Sequence, residues 1–82
     1  MVETADIQKI IDLYKDCEHY DISMSGVDYL NIYLKITDGE HLIGIMDMKK
    51  IHFYTDKSVQ IDFMSGGYIS FDYNRPHVSL AF

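Results

Sequence analysis

The chain lacks the residues that mark several protein classes, since its 82 residues include one cysteine, one proline and no tryptophan. The lone cysteine, Cys17, excludes an internal disulfide framework and suits a reducing compartment, so we expect a cytoplasmic protein. No apolar run approaches the roughly 18 residues of a membrane span, and no basic segment precedes an apolar one at the N-terminus. We therefore expect no membrane-spanning segment, no signal peptide and a single domain over residues 1–82.

Basic side chains are scarce as well: seven lysines and arginines stand against thirteen acidic residues, which gives a net charge of −6. Such a charge repels nucleic acid and anionic membranes unless a basic patch overrides it. The densest basic site, Lys49-Lys50 with Lys57 nearby in the sequence, is too small for a nucleic-acid footprint. We therefore predict no direct contact with nucleic acid or membrane. The acidity has a second interpretation, which is solubility alone.

Apolar residues at three- and four-residue steps predict one amphipathic helix over residues 5–19. The apolar stripe consists of Ile7, Ile10, Ile11, Tyr14 and Cys17. Thr4 is the expected N-cap, and Asp6 suits the positive end of the helix dipole. Because an isolated helix of this length is only marginally stable, we expect the stripe to pack against another element.

From Tyr20 onward the apolar period changes to two, which is typical of half-buried strands. We predict about six or seven antiparallel strands in up-and-down order, at residues 20–24, 28–36, 41–47, 51–55, 59–64, 68–73 and 78–82. The only proline, Pro76, is predicted to lie in the last loop. A helix about 10 Å wide covers only some of these strands. The predicted fold is therefore α+β, with the N-terminal helix packed on a strongly curved, half-barrel-like antiparallel meander.

The pairing of strands is predicted from the requirement that apolar side chains share one face. In the central hairpin, residues 59–73, a three-residue loop at Ser65-Gly66-Gly67 meets this requirement by placing Ile61 opposite Phe71, with Gly67 in the left-handed region. The other predicted pairs are Phe63 with Ile69, Val59 with Tyr73, Leu34 with Ile43, Ile32 with Ile45, Phe71 with Leu80 and Ile69 with Phe82.

Tyrosine and methionine collect on the outward face of the predicted sheet. Both residue types are enriched at recognition surfaces because they offer large, adaptable contact area. Together with two carboxylates of the central hairpin, the predicted partner-binding residues are Tyr29, Tyr33, Met46, Met48, Tyr54, Asp62, Met64, Tyr68 and Asp72. Two alternatives stay open: a homodimer face, and ordinary half-exposed strand residues with no partner.

Residues that carry enzyme or metal chemistry occur without a matching pattern. Cys17 lies on the apolar stripe of the helix, which indicates a buried structural thiol and not a nucleophile or metal ligand. No H-E-x-x-H, C-x-x-C or phosphate-binding glycine loop is present. Asp62 and Asp72 are predicted to lie diagonally on the outward face, where solvated carboxylates are a simpler interpretation than an acid–base pair. We therefore predict no catalytic residues, no metal site, no cofactor and no enzymatic activity.

The composition favours a non-enzymatic interaction protein. Acidic residues spaced along a small scaffold can imitate a phosphate backbone and occupy the basic channel of a nucleic-acid-binding partner. By this analogy of size and charge, we predict an inhibitor of the kind that phages and mobile elements use against host defence. The alternatives are a small-ligand-binding domain or small enzyme subunit with a pocket between the helix and the sheet, and a homodimeric accessory subunit.

Overall fold

The computed structural model describes residues 2–82, which contain one α-helix, one 3₁₀ helix and seven β-strands. The helices are α1 (Thr4–Tyr14) and the 3₁₀ helix Ile45–Asp47, and the strands are β1 (Tyr20–Ser25), β2 (Tyr29–Leu34), β3 (Gly39–Gly44), β4 (Met48–Phe53), β5 (Val59–Phe63), β6 (Tyr68–Asp72) and β7 (Arg75–Ala81). The predicted α+β class with antiparallel pairing is confirmed. Within the described chain, no helix has the length and hydropathy needed to cross a membrane.

The strands form two sheets and not the single curved meander that the sequence predicts. The three-stranded sheet has the order β1-β2-β3 and the four-stranded sheet the order β4-β5-β6-β7, and across residues 2–82 neither closes into a barrel. At the 3₁₀ helix between them, the Ile45 N–H donates to the Asp28 carbonyl (2.8 Å), and the Asp47 carbonyl accepts from the Met64 N–H (2.7 Å). Each bond adds one rung to the ladder of its own sheet, since Asp28 lies opposite Ile45 in the register of β2 with β3, and Asp47 opposite Met64 in that of β4 with β5. The 3₁₀ turn between these two rungs interrupts the strand predicted at 41–47, which ends three residues early.

Helix α1 buries part of the predicted apolar stripe. Its buried residues are Ile7, Ile10 and Tyr14. The N-cap is Glu3 and not Thr4, and the Glu3 N–H donates to the Asp6 carboxylate (3.2 Å). The carboxylate also lies at the positive end of the helix dipole, so it stabilises the first turn in two ways.

The predicted helix over residues 5–19 ends early, at Tyr14. The Cys17 N–H still bonds to the Tyr14 carbonyl (3.0 Å), but the carbonyls of Cys17 and His19 bond to Lys35, the first residue after β2. Lys35 donates from its backbone N–H to the His19 carbonyl (3.0 Å) and from its ammonium group to the Cys17 carbonyl (3.2 Å). These tertiary bonds supply partners for carbonyls that follow the helix, and they direct the chain into β1.

The central hairpin keeps the predicted faces but has a different register. Ile61 lies opposite Ile69, and not opposite Phe71 as predicted. The loop closes one residue earlier, because the Phe63 N–H donates to the Gly67 carbonyl (2.8 Å). A Cβ on Gly67 would lie 2.2 Å from the backbone oxygen of the residue that ends β7, so this glycine is required for close packing; the positive φ of 105° belongs to Gly66. A shift of two residues leaves every side chain on its face.

The hairpin between β2 and β3 also differs from its predicted register. Leu34 pairs with Gly39 and not with Ile43, so the turn comprises the four residues 35–38. Asp38 takes the left-handed conformation in this turn, with φ 54°. Ile36, the last residue of the strand predicted at 28–36, is in the turn and 74% exposed. The displacement is again an even number of residues, and the core face of β2 is unchanged.

The only proline of the chain lies within a strand of the last hairpin, and not in the loop where it is predicted. Pro76 lies in β7, which begins three residues earlier than predicted and forms one edge of the four-stranded sheet. An irregularity in the pairing between Phe71 and Asp72 accompanies it. An edge strand tolerates proline because its missing N–H can face away from the ladder. Phe71 consequently pairs with Val78, two residues from the predicted Leu80.

The core lies between α1 and the inner faces of both sheets, and two tyrosines connect its parts. Tyr14 and Tyr20 contact each other edge to face, with ring centroids 5.7 Å apart. The Tyr14 hydroxyl donates to the Lys57 carbonyl (2.5 Å). The Tyr20 hydroxyl lies 2.9 Å from the Arg75 and His77 carbonyls and accepts from the His77 N–H (3.0 Å). These bonds attach α1 and β1 to the four-stranded sheet.

Candidate protein-interaction surfaces

The nine residues predicted to bind a partner do not form one surface, because the two sheets have separate outer faces. Tyr29 and Tyr33 lie on the outer face of the three-stranded sheet. The four-stranded sheet and its first turn carry Tyr54, Asp62, Tyr68 and Asp72. Met64 lies in the turn between β5 and β6.

The two methionines of the 3₁₀ region show why their common assignment to one face is wrong. Met46 is in the 3₁₀ helix and 86% exposed, whereas Met48 begins β4 and is 1% exposed. An uninterrupted strand would place both on one side, since they are two residues apart. The helical turn rotates the chain between them, and Met48 becomes a core residue opposite Phe63.

The outer face of the three-stranded sheet combines carboxylates with tyrosine. Asp21, Tyr33 and Glu40 lie opposite one another on β1, β2 and β3. The Tyr33 hydroxyl donates to the Asp38 carboxylate, and this hydrogen bond raises the pKa of Tyr33. Tyr29 lies on the same side of β2 as Asn31 and Tyr33. We call the surface formed by Asp21, Tyr29, Tyr33, Asp38 and Glu40 the acidic face.

The negative charge of the chain is concentrated in residues 18–47, the segment that contains this sheet and the residues flanking it. Residues 18–47 contain six acidic side chains and one basic side chain, Lys35, for a net charge of −5. Residues 48–82 contain four basic and three acidic side chains, for a net charge of +1. The prediction from sequence relied on acidic residues spread over the whole chain and missed this asymmetry. The sequence does contain this information, because Lys49-Lys50 lies at the start of the segment in which basic residues outnumber acidic ones.

On the four-stranded sheet, the predicted carboxylates lie apart. Asp62 lies opposite Tyr68, four residues along β6 from Asp72, a separation of ~13 Å at the rise of a strand. The diagonal arrangement predicted for Asp62 and Asp72 is therefore wrong. Asp72 instead accepts a hydrogen bond from the Arg75 guanidinium (3.1 Å).

Asp62 is held by two neighbouring side chains. It accepts from the Gln60 amide (2.8 Å), and a second carboxylate oxygen lies 2.7 Å from Nε2 of His52, whose ring stacks on Tyr54. Two hydrogen bonds lower the pKa of Asp62: the bond from Gln60 has the larger effect and the bond from His52 the smaller. A general acid at neutral pH needs a raised pKa, so the environment of Asp62 favours a charged acceptor.

A polar cleft of about 360 Å³ lies beside these residues. His77 and Ser79 face it, with Nε2 and Oγ 3.2 Å apart. The nearest carboxylate in sequence, Asp72, bonds to Arg75 and so does not orient this imidazole. Asp56, the other carboxylate of the cleft, accepts from the Ser58 hydroxyl, so among the described residues neither carboxylate bonds to the His77 ring as a nucleophile triad requires.

The buried thiol and the helix–sheet junction also bear on the sequence predictions. Cys17 is buried, as predicted, and its Sγ donates to the Tyr73 carbonyl (3.2 Å). Ile10 and Tyr14 of α1 are fully packed against the sheets, so side chains fill the middle of the junction. Among residues 2–82, no group of three or more histidine, cysteine, aspartate or glutamate side chains is arranged to hold a metal ion.

A second concave region, of about 440 Å³, lies where the two sheets meet. We call it the edge groove: it runs between β3 and the turn from β5 to β6, and the end of β7 completes it. Its apolar lining includes Leu42, Met64, Leu80 and Phe82.

Comparisons of the chain with protein-family models, curated proteins and solved structures find no match.

Proposed function

We propose that this chain is a small non-enzymatic interaction protein that binds a basic, nucleic-acid-binding partner through the acidic face and thereby inhibits it. The observation that supports this most directly is the net charge of −5 on residues 18–47. At physiological salt, charges act over about 8 Å, so carboxylates on neighbouring strands add to one local potential. A basic channel that accepts phosphates would meet a similar potential here.

The tyrosines of the acidic face add contact area, which charge alone does not provide. Tyr29 and Tyr33 offer large, rigid side chains with few rotatable bonds, which lose little entropy on binding. The Tyr33–Asp38 hydrogen bond holds one of these rings in place beside the carboxylates. Carboxylates would guide a basic partner to the surface, and the tyrosines would then supply contact area.

The placement of basic residues gives the proposal a direction. Lys49, Lys50, Lys57 and Arg75 all follow residue 47, and Lys35, the one basic residue of the segment 18–47, pairs with Asp21 at 3.7 Å. The acidic face would therefore displace nucleic acid from its partner instead of bridging to it. This is the action of an inhibitor of the kind that phages and mobile elements use against host defence, working in the cytoplasm.

The test is capture of host proteins over a salt series, with competition by duplex DNA. The bait is the purified chain, and the matched variants are Asp21→Asn with Asp38→Asn on the acidic face, and Asp12→Asn with Asp16→Asn on or just after the helix. Both pairs remove the same charge, and asparagine is compatible with the positive φ at position 38. We expect DNA and about 1 M salt, where the Debye length is ~3 Å, to release a nucleic-acid-binding protein.

The helix pair should capture the same protein as the wild type, and the acidic-face pair should lose it. Equal capture by both variants would show that only overall charge matters and would contradict the proposal. Salt-resistant self-association with no captured partner would instead favour the homodimer.

A further inference from the structure

The edge groove follows the free edge of β3. Successive side chains of a strand point to opposite faces, yet the five consecutive residues 40–44 all line the groove. This is possible only when the groove runs along the side of the strand. In the described chain β3 pairs with β2 alone, so the backbone groups on its other side have no strand partner.

The groove also leaves part of the core face uncovered. Leu80 on β7 lies opposite Ile69 on β6, and both point to the inner side of the four-stranded sheet. Ile69 is 0% exposed, whereas Leu80 is 45% exposed. The difference arises because the three-stranded sheet ends at β3, and no further strand reaches over β7. Exposed Met64 and Phe82 extend this apolar wall.

The charge of the groove specifies its occupant further. Glu40 and Asp47 line it, and no lysine or arginine does so. The lining thus pairs an apolar wall and an open strand edge with two carboxylates. A second copy of the chain would bring its own segment of net charge −5 against these groups, which disfavours self-pairing at this edge.

We infer that the edge groove binds an extended peptide segment of another protein, which adds to β3 as a fourth strand. The main chain of the segment bonds to the free edge of β3, and its apolar side chains, at alternate positions, cover Leu80 and Met64. Lysine or arginine at the intervening positions meets Glu40 and Asp47. A segment of about six residues spans β3, which is ~20 Å long. Glu40 belongs both to the acidic face and to the edge groove, but the inference does not depend on the partner proposed for the acidic face.

The probe is a peptide of alternating lysine and valine about as long as β3, titrated into the isotope-labelled protein. We expect saturable changes in the amide shifts of residues 39–44 and slower hydrogen exchange at the free edge of β3. Two control peptides, one with proline at the central valine and one with glutamate replacing every lysine, should leave these signals unchanged. Absence of shifts, or shifts confined to the outer face of the three-stranded sheet, would overturn the inference.

Substitutions then locate the site. Leu80→Ser and Met64→Ser should each weaken peptide binding about fivefold or more, whereas Ile36→Ser, which alters an exposed apolar residue outside the groove, should not. Met64 lies in an exposed turn, so its variant remains informative even where Leu80→Ser lowers stability. Equal binding by all three variants would contradict the assignment of the peptide to the edge groove. The Asp21→Asn and Asp38→Asn pair should retain the peptide, which separates this test from that of the proposed function.

Discussion

Tyr20 offers the sharpest test of how the two sheets are held together. Its buried hydroxyl accepts from the His77 N–H and lies 2.9 Å from two β7 carbonyls. Tyr20→Phe removes these bonds and leaves a donor of β7 without its partner. Stranding a buried polar group costs about 2 kcal/mol. A chain of this length loses roughly 4–8 °C of melting temperature per kcal/mol, so we expect a decrease of about 8–16 °C.

The assay is equilibrium unfolding in urea and by heat, followed by circular dichroism. Tyr54→Phe is the matched control, because it removes the same hydroxyl from an exposed side chain and should change stability by less than about 0.5 kcal/mol. Indistinguishable stabilities for the two variants would refute the idea that the Tyr20 hydroxyl joins β1 to β7. A change in the urea m-value would further show that the unfolding is no longer comparable between variants.

Three further outcomes are expected. Burial raises the pKa of Tyr14 above the ordinary value of 10.0, so stability should fall as the pH rises above about 10, which tyrosinate absorbance and unfolding at alkaline pH will measure. Gly67→Ala should destabilise by about 2 kcal/mol or more in urea unfolding, because the new Cβ meets backbone of β7. Met48→Ala should lose about 2–5 kcal/mol in the same assay, while the exposed Met46→Ala should lose less than about 0.5 kcal/mol.

The sequence predicts the faces of the strands better than their pairing. Alternation assigns Ile61 and Phe71 to the core, and an even shift in register does not disturb that assignment. The exact pairing depends on which glycine is in the turn. Gly67 is excluded from the turn by its contact with the end of β7, a residue pair far apart in the sequence. Local turn preferences carry no information about that contact.

The division into two sheets has a similar cause. The 3₁₀ helix that separates the sheets is held at each end by a bond to a residue far along the chain, from the Ile45 N–H to the Asp28 carbonyl and from the Met64 N–H to the Asp47 carbonyl. The sequence around Met46 and Met48 alternates as a strand would, so periodicity alone predicts a continuous one. The candidate surfaces follow the same rule: composition predicts tyrosine and acidic residues as contact groups, but the division determines which of them share a face.

Pairing between neighbours in the chain has a consequence for synthesis on the ribosome. Each strand of the three-stranded sheet finds its partner within a short loop, so this part can associate before the C-terminal half is made. The bonds from Tyr14 and Tyr20 span 43 to 57 residues and close only afterwards. Translation thus sets an order in which the emerging hairpins form first and the long-range hydrogen bonds to β7 form last.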